Sequence, residues 1–564
     1  MAFQLSPGVN VSEIYLTTVI PSVATSTGAF VGPFNWGPIG VVTTISDEVR
    51  LVNSFGKPDS DNYEYWFSAA NFLAYGNNLK VVRTQGSGAL NATANGTGVL
   101  IKNEDDYVDN HSSYADGAYG ATGGWAARYA GSLGNSILVS MADANTYNVW
   151  AYRAQFSAVP NTSSYVASLG GANDEVHIVV VDEDGLWTGT SGTVLEKYAF
   201  VSKASDAKDD SGNSNYYKDV IKNKSQYVWS LSHPTNLGSG TAWGSTANVS
   251  AYKLLSSNSS NSLSAGAVGT SGTANVTSGW DQFKNAESVD VSLLVTGTGN
   301  STIASYVISN IAESRKDCVA FISPEKADCV DNAGNEVTDI TAFRNGLNTS
   351  SSYAVVDSGY KYQYDKYSDT YRWIPLNGDI AGLCVRTDNE RDPWFSPGGF
   401  NRGQIKNVIK LAWNPTKTNR DDLYQVGVNP VVSFPGEGTV LYGDKTMLSK
   451  PSAFDRINVR RLFIVLEKAI SRAARFSLFE FNDQFTRAQF VALVEPFLRD
   501  VQGRRGITDF RVVCDETNNT GEIIDRNEFV GDIYIKPARS INFIQLNFVA
   551  VRTGVSFNEV VGAA

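Results

Sequence analysis

The sequence predicts a mixed α/β, multidomain chain: an α/β body built from an N-terminal and a C-terminal segment, with β-rich insertions and extended terminal arms. Three observations carry this expectation. Strand-like and helix-like apolar patterns alternate over 27–83 and again over 289–356. The stretch between them is β-rich and crowded with small polar residues. Both ends of the chain read as single strands.

Each element has its own signal. Thr27-Gly28-Ala29-Phe30-Val31-Gly32-Pro33 reads as a buried strand entering a turn. Ser46-Asp47 can cap a short helix that ends at Phe55-Gly56, because a side-chain oxygen before the first turn accepts from free backbone N–H groups. Tyr63 to Tyr75 has helical apolar spacing and stops at Gly76, and Leu79 to Arg83 is the next strand. Beyond an exposed, small-residue insertion over 86–134, residues 135–285 hold strands at Ile137 to Met141 and Val176 to Val181. Their run 255–278 is low-complexity and reads as a surface loop or short strands joined by Gly/Ser turns.

The α/β alternation then resumes. Strands are expected at Val289 to Val295, Cys318 to Ile322 and Tyr353 to Val356, with helices at Ser301 to Glu313 and Thr338 to Leu347. Residues 21–85 and 286–390 should therefore form one discontinuous α/β domain with a partly parallel sheet. A C-terminal domain over 391–540 carries the longest helical pattern. Leu462, Val465, Leu466, Ala469, Ile470 and Ala473 form one apolar stripe. Lys468, Arg472 and Arg475 read as a basic stripe on another face. Asn482-Asp483 caps the next helix, which meets Pro496, and strands follow at Phe510 to Cys514 and Asp532 to Lys536.

Composition narrows the function. The chain has 564 residues, 42% of them hydrophobic, enough for roughly three or four domains of ~150 residues. A net charge of −11 argues against direct nucleic-acid binding, because phosphate repels an acidic surface. Apolar runs fall short of the ~20 residues of a membrane-spanning helix, and the start lacks a secretory leader, so we expect a cytoplasmic product without membrane insertion. Cys318, Cys329, Cys384 and Cys514 lack CxxC spacing and read as buried thiols; His111, His177 and His233 are scattered. No cofactor or metal is expected. Asp182-Glu183-Asp184 beside Gly185 could serve acid/base chemistry, but reads better as a solvated hairpin turn. Glu104-Asp105-Asp106 and Asp209-Asp210 read likewise. Gly398 to Gly403 lacks the Gly-Lys-Ser/Thr ending of a phosphate loop. No catalytic constellation emerges, so the chain is expected not to be an enzyme.

The termini point to assembly. Residues 1–20 form an extended arm that includes Val9-Asn10-Val11-Ser12, and 541–564 opens with a β-rich run carrying Ile544, Leu546, Phe548 and Ala550. A lone strand leaves backbone groups unpaired. Either both ends complete the chain's own sheet, or they pair with neighbouring copies and build rings or helical filaments.

Several motifs resemble one family. Ser6-Pro7-Gly8-Val9-Asn10-Val11-Ser12-Glu13 opens the series, followed by Gly28 to Pro38, Phe55-Gly56-Lys57-Pro58, Ala130 to Asn135 and Arg315 to Pro324. Ser396-Pro397-Gly398-Gly399, Gly427-Val428-Asn429-Pro430, Gly436-Glu437-Gly438, Tyr442 to Thr446, Ile457 to Leu462, Phe479 to Asp483 and Cys514 to Asn519 complete it. In this order they resemble the tail sheath proteins of contractile-tailed bacteriophages; Asp444-Lys445-Thr446 departs from the family's Ala-Arg-Thr.

The resemblance implies a structural virion subunit, assembled in the host cytoplasm. It would polymerise as stacked six-fold rings around a tail tube and contract to drive that tube through the host envelope for genome ejection. Tube, baseplate and tail terminator proteins would be its partners. The terminal strands would be exchanged between subunits, and the 391–540 domain would face the tube, with Lys468, Arg472 and Arg475 as contacts. A sheath of a phage-like injection machine and a β-rich carbohydrate-binding or adhesive protein stand as alternatives.

Overall fold

A computed structural model describes residues 24–111, 123–542 and 544–545. They divide into two compact units: a larger one within 24–393 and 397–471, and a smaller one comprising 394–396 and the described residues from Arg472 onward.

In chain order the larger unit holds β1 (Gly28–Gly32), β2 (Thr43–Ile45) and β3 (Leu79–Arg83). Its middle adds β4 (Trp125–Ala127), β5 (Ile137–Ala142), β6 (Glu175–Asp182), β7 (Thr193–Ser202), β8 (Val228–Ser230) and β9 (Ser259–Ser262). Then come β10 (Leu293–Val295), β11 (Val319–Ile322), β12 (Ala354–Asp357), β13 (Tyr360–Asp365), β14 (Thr370–Pro375), β15 (Lys410–Leu411), β16 (Val428–Asn429), β17 (Val431–Phe434) and β18 (Gly438–Leu441).

The central sheet has seven strands in the order β16-β12-β11-β10-β1-β3-β2. All its pairings are parallel except that of β2 with β3. Parallel strands need crossover helices, which cover both faces, and the side chains sort by the period of two. Phe30, Val81, Leu293, Val295, Phe321 and Val355 point into one core; Ala29, Val31, Val82, Leu294, Ala320 and Val356 point into the other. Helices Tyr63–Leu73 and Asn377–Glu390 cover the first face. Helices Thr273–Trp280, Ser301–Tyr306 and Glu336–Gly346 cover the second.

Gly378 permits close packing on the first face: a Cβ there would lie 2.2 Å from the Ser68 carbonyl oxygen. The helix cap at Asp47 forms as expected, its carboxylate accepting from the Arg50 amide at 2.8 Å.

The middle is an antiparallel sheet in the order β7-β6-β5-β9, beside the pair β4-β8. The described residues of the 86–134 stretch are stitched into this body. Leu90 bridges Ala267, Thr93 bridges both Ala126 and Ser264, and Ala92, Trp125 and Ala127 share a core with Ile137 and Val139.

The mixed α/β class holds, with differences in detail. The α/β body extends past residue 390, because β16 lies in the central sheet and 397–471 belongs to the larger unit. The expected strand at Val289 shortens to Leu293–Val295. The β13-β14 hairpin and helix Asn377–Glu390 are findings of the structure alone.

The smaller unit is helix Gln484–Gly503 packed on β19 (Ile507–Val513), which pairs antiparallel with β20 (Asp532–Pro537). This helix runs through Pro496 instead of ending there. A mid-helix proline costs about 3 kcal/mol. Phe490 and Val494 before it, and Leu498 and Val501 after it, are all buried, and their packing offsets that cost.

Candidate assembly surface

Several of the motifs singled out by sequence hold internal braces between distant parts of the chain. Arg83, wholly buried, donates to the Gly37 carbonyl at 2.8 Å and to the Ala130 carbonyl at 2.7 Å, joining two of the motifs. Gly131 (φ +145°) follows directly, where a Cβ would meet the Asn35 carbonyl oxygen at 2.2 Å. Asn429 donates to the Lys445 carbonyl at 2.8 Å and accepts from the Lys445 amide at 2.7 Å, so the 427–430 and 442–446 motifs close on each other. Arg461 reaches Asp388 at 2.6 Å.

In the smaller unit, Asn482 reaches Asn519 at 3.3 Å and donates to the Glu528 carbonyl at 2.8 Å. Asn519 in turn donates to the Val530 carbonyl at 2.8 Å and accepts from its amide at 2.9 Å. Asp483 caps the long helix through the Thr486 amide at 2.8 Å.

The acidic clusters are likewise structural. Asp182 is buried, contrary to the solvated turn expected there. Burial pushes its carboxyl up, yet hydrogen bonds from Ser136, Thr188 and the Trp187 amide outweigh this and hold it below the usual carboxylate range. Glu104, Asp105 and Asp106 form the first turn of a helix, where carboxylates favour the exposed N–H groups. The four cysteines are free and buried. Burial comes first in drawing the Lys361 ammonium down and the Asp379 carboxyl up; the two sit 2.9 Å apart with no exposure. This pair had no signal in the sequence beyond a lysine within the alternation of β13.

The expected basic stripe does not form. Lys468 is only 8% exposed and turns inward. Its ammonium lies 2.9 Å from Asp290 and 3.5 Å from Asp317, and donates to the Val291 carbonyl at 2.8 Å. A cation satisfied in this way is withdrawn from any outside contact, so Lys468 leaves the set. Arg475 is exposed, but lies in the 3-10 turn Arg475–Ser477 after the helix, where helical spacing no longer sets direction. Arg472 is half-buried.

Two features of the smaller unit face outward. The turn after helix Ile457–Ala474 displays Phe476, Leu478, Phe479 and Phe481, and the start of the next helix Phe485, all mostly exposed. Phe479 is fully exposed with φ +70°, a backbone region that bulky residues rarely adopt. The second feature is the β19-β20 ribbon, which among the described residues has no third strand on either edge. Ile544, one of the predicted exchange residues, is 77% exposed and outside any strand. Val9, Asn10, Val11, Ser12, Leu546, Phe548 and Ala550 lie outside the described residues.

The fold is thus a helix-covered parallel sheet with a β-rich insertion, followed in the chain by a small unit with a two-stranded ribbon and an apolar turn. The chain belongs to the phage tail sheath protein family. It matches the phage tail sheath protein central domain over 269–447, the phage tail sheath C-terminal domain over 449–550, and the N-terminal region of tail sheath protein Gp18 domain III over 25–84.

The tail sheath protein of Vibrio phage KVP40 is 35% identical, with 99% of this chain and all of the relative aligned. That of Enterobacteria phage T4 is 35% identical over 99% of each. Among solved structures, the sheath tail protein of Listeria innocua shares the fold at a TM-score of 0.54 and 11% identity, covering 92% of this chain and 94% of that one. The contracted helical sheath of the anti-feeding prophage shares it at 0.50 and 13%, covering 97% and 99%. Among the described residues, no helix is long and apolar enough to cross a membrane.

Proposed function

We propose that the chain polymerises as stacked six-fold rings around a tail tube, each copy joined to its neighbours by exchanged terminal strands. Contraction of this lattice drives the tube through the host envelope. The observation that carries the reading is the β19-β20 ribbon. Among the described residues the ribbon has two strands, and its open edges present rows of N–H and C=O groups ready for further strands. The β-rich sequences at the two ends of the chain supply strands of the right kind, and a donor differing from its acceptor gives a head-to-tail contact that propagates.

Contraction then needs no chemistry within the subunit. Near-rigid units change partners between two packings of different free energy, and the exchanged strands keep neighbours connected. The role is structural rather than catalytic, its place is the virion, and the tube, baseplate and tail terminator are its partners. Arg472 and Arg475 remain as tube contacts, supported by the exposed position of Arg475.

The test is electron microscopy of full-length protein beside truncations lacking 1–16 or 541–564. The full chain should give long striated sheaths, and both truncations a folded protein that does not polymerise. Normal sheaths from either truncation would refute the strand exchange.

A further inference from the structure

A cavity of about 430 Å³ lies in the larger unit, and Arg344, Ser350, Lys445, Ser449, Lys450 and Asp455 are among the residues that line it. Arg344 is the unusual member. It is only 6% exposed, yet forms no ion pair among the described residues. Among the described residues its one hydrogen bond runs from Nη2 to the Met447 carbonyl at 2.8 Å, and its Nε has no partner. Three other buried cations in this unit meet carboxylates, Lys203 with Asp143, Lys361 with Asp379 and Arg461 with Asp388; among those that do not, Arg83 donates to two carbonyls and Arg460 lies over the Tyr353 and Phe454 rings. A buried guanidinium without a counter-ion is unfavourable, because desolvation goes uncompensated.

The surroundings sharpen the point. Lys445 lies over the Tyr424 ring and donates to the Tyr424 carbonyl at 2.7 Å. Burial, then the nearby Arg456 charge, draws its ammonium down, outweighing the pull of Asp455 and Asp444 in the other direction. Lys450 is exposed at the rim. The one acid on the lining, Asp455, lies 3.9 Å from Arg456. The cavity thus carries surplus positive charge, with Ser350 and Ser449 hydroxyls beside it.

We infer that this cavity receives an acidic side chain from a second copy of the chain, whose carboxylate completes Arg344 when copies assemble. The chain's net charge of −11 makes its own surface a ready source of carboxylates, and a guanidinium fork suits a carboxylate in two-point contact. The inference rests on the polymer reading above.

Arg344→Met separates the two. It removes the charge while keeping an apolar chain of similar length, so the unassembled subunit should melt at the same temperature or higher. Its polymer should weaken, with the concentration needed for assembly rising by about tenfold or more. Arg344→Lys, which keeps the charge and loses the fork, should fall between, and gives the answer if the methionine variant misfolds. A map of the wild-type sheath should place a neighbouring carboxylate within ion-pair distance of Arg344.

Assembly of both variants at the wild-type concentration would overturn the inference, as would a small inorganic anion in place of the carboxylate. Failure of the wild-type chain itself to polymerise would instead overturn the sheath reading.

Discussion

Lys468 Nζ sits 2.9 Å from Asp290 Oδ1, and this contact ties helix Ile457–Ala474 to the segment leading into β10. The pair makes a charge that looks available in sequence into part of the fold. Lys468→Met should destabilise the larger unit by about 1–3 kcal/mol, discounted because the Asp290 carboxylate is a third exposed. Thermal unfolding would measure it. Arg475→Glu, at an exposed position, should leave the melting temperature unchanged and reduce sheath growth on purified tubes. Equal growth would remove Arg475 from the tube contact.

Gly378 marks where two helices touch backbone to backbone. Gly378→Ala places a methyl 2.2 Å from the Ser68 carbonyl oxygen. The helices must separate, at a cost of about 1–3 kcal/mol or more, seen as a lower unfolding midpoint in urea. An unchanged midpoint would mean that this contact relaxes freely.

Asp357 gives the fold a pH dependence. Burial, the main cause, pushes its carboxyl up to about 8 from an ordinary 3.8, against hydrogen bonds from Ser323 and the Gly359 amide that pull it down. The nearby Asp379 adds to the rise, and is itself paired with Lys361. Between those pH values the folded chain holds a proton that the unfolded chain has released. This contribution to stability therefore falls as pH rises from about 4 to about 8, then levels. Asp357→Asn should flatten that part of a melting-temperature profile, with its largest relative gain above pH 8. Parallel profiles would show that Asp357 is ionised in the fold throughout.

The apolar turn predicts a separation of folding from assembly. Phe476→Ser, Phe479→Ser and Phe481→Ser remove rings that lie mostly in solvent, so each should change subunit stability by no more than about 0.5 kcal/mol. An apolar patch of this kind marks an interaction surface, so the triple variant should assemble poorly. Wild-type assembly by the triple variant would assign the turn no role in the polymer.

The parallel body was legible because its signals are local. The Asp47 cap, the run Leu79 to Arg83 and the apolar stripe from Leu462 each report on a few neighbouring residues. The β13-β14 hairpin was not, since its Tyr-rich strands interleave polar and charged residues on both faces. The helix continues through Pro496 because Phe490, Val494, Leu498 and Val501 on both sides of it are buried, which only the tertiary packing shows. The candidate site was less legible still: sequence found the basic residues but not which were already neutralised.

By itself, the amino-acid order determined the alternating strands and helices, the acidic balance and the β-rich ends, because periodicity, capping and composition act over short spans of chain. Only the tertiary structure decided that Lys468 is occupied by Asp290 and Asp317 while Arg344, among the described residues, has no carboxylate. Charge pairing is set by distance in space and by burial, and partners 178 residues apart leave no local trace of each other.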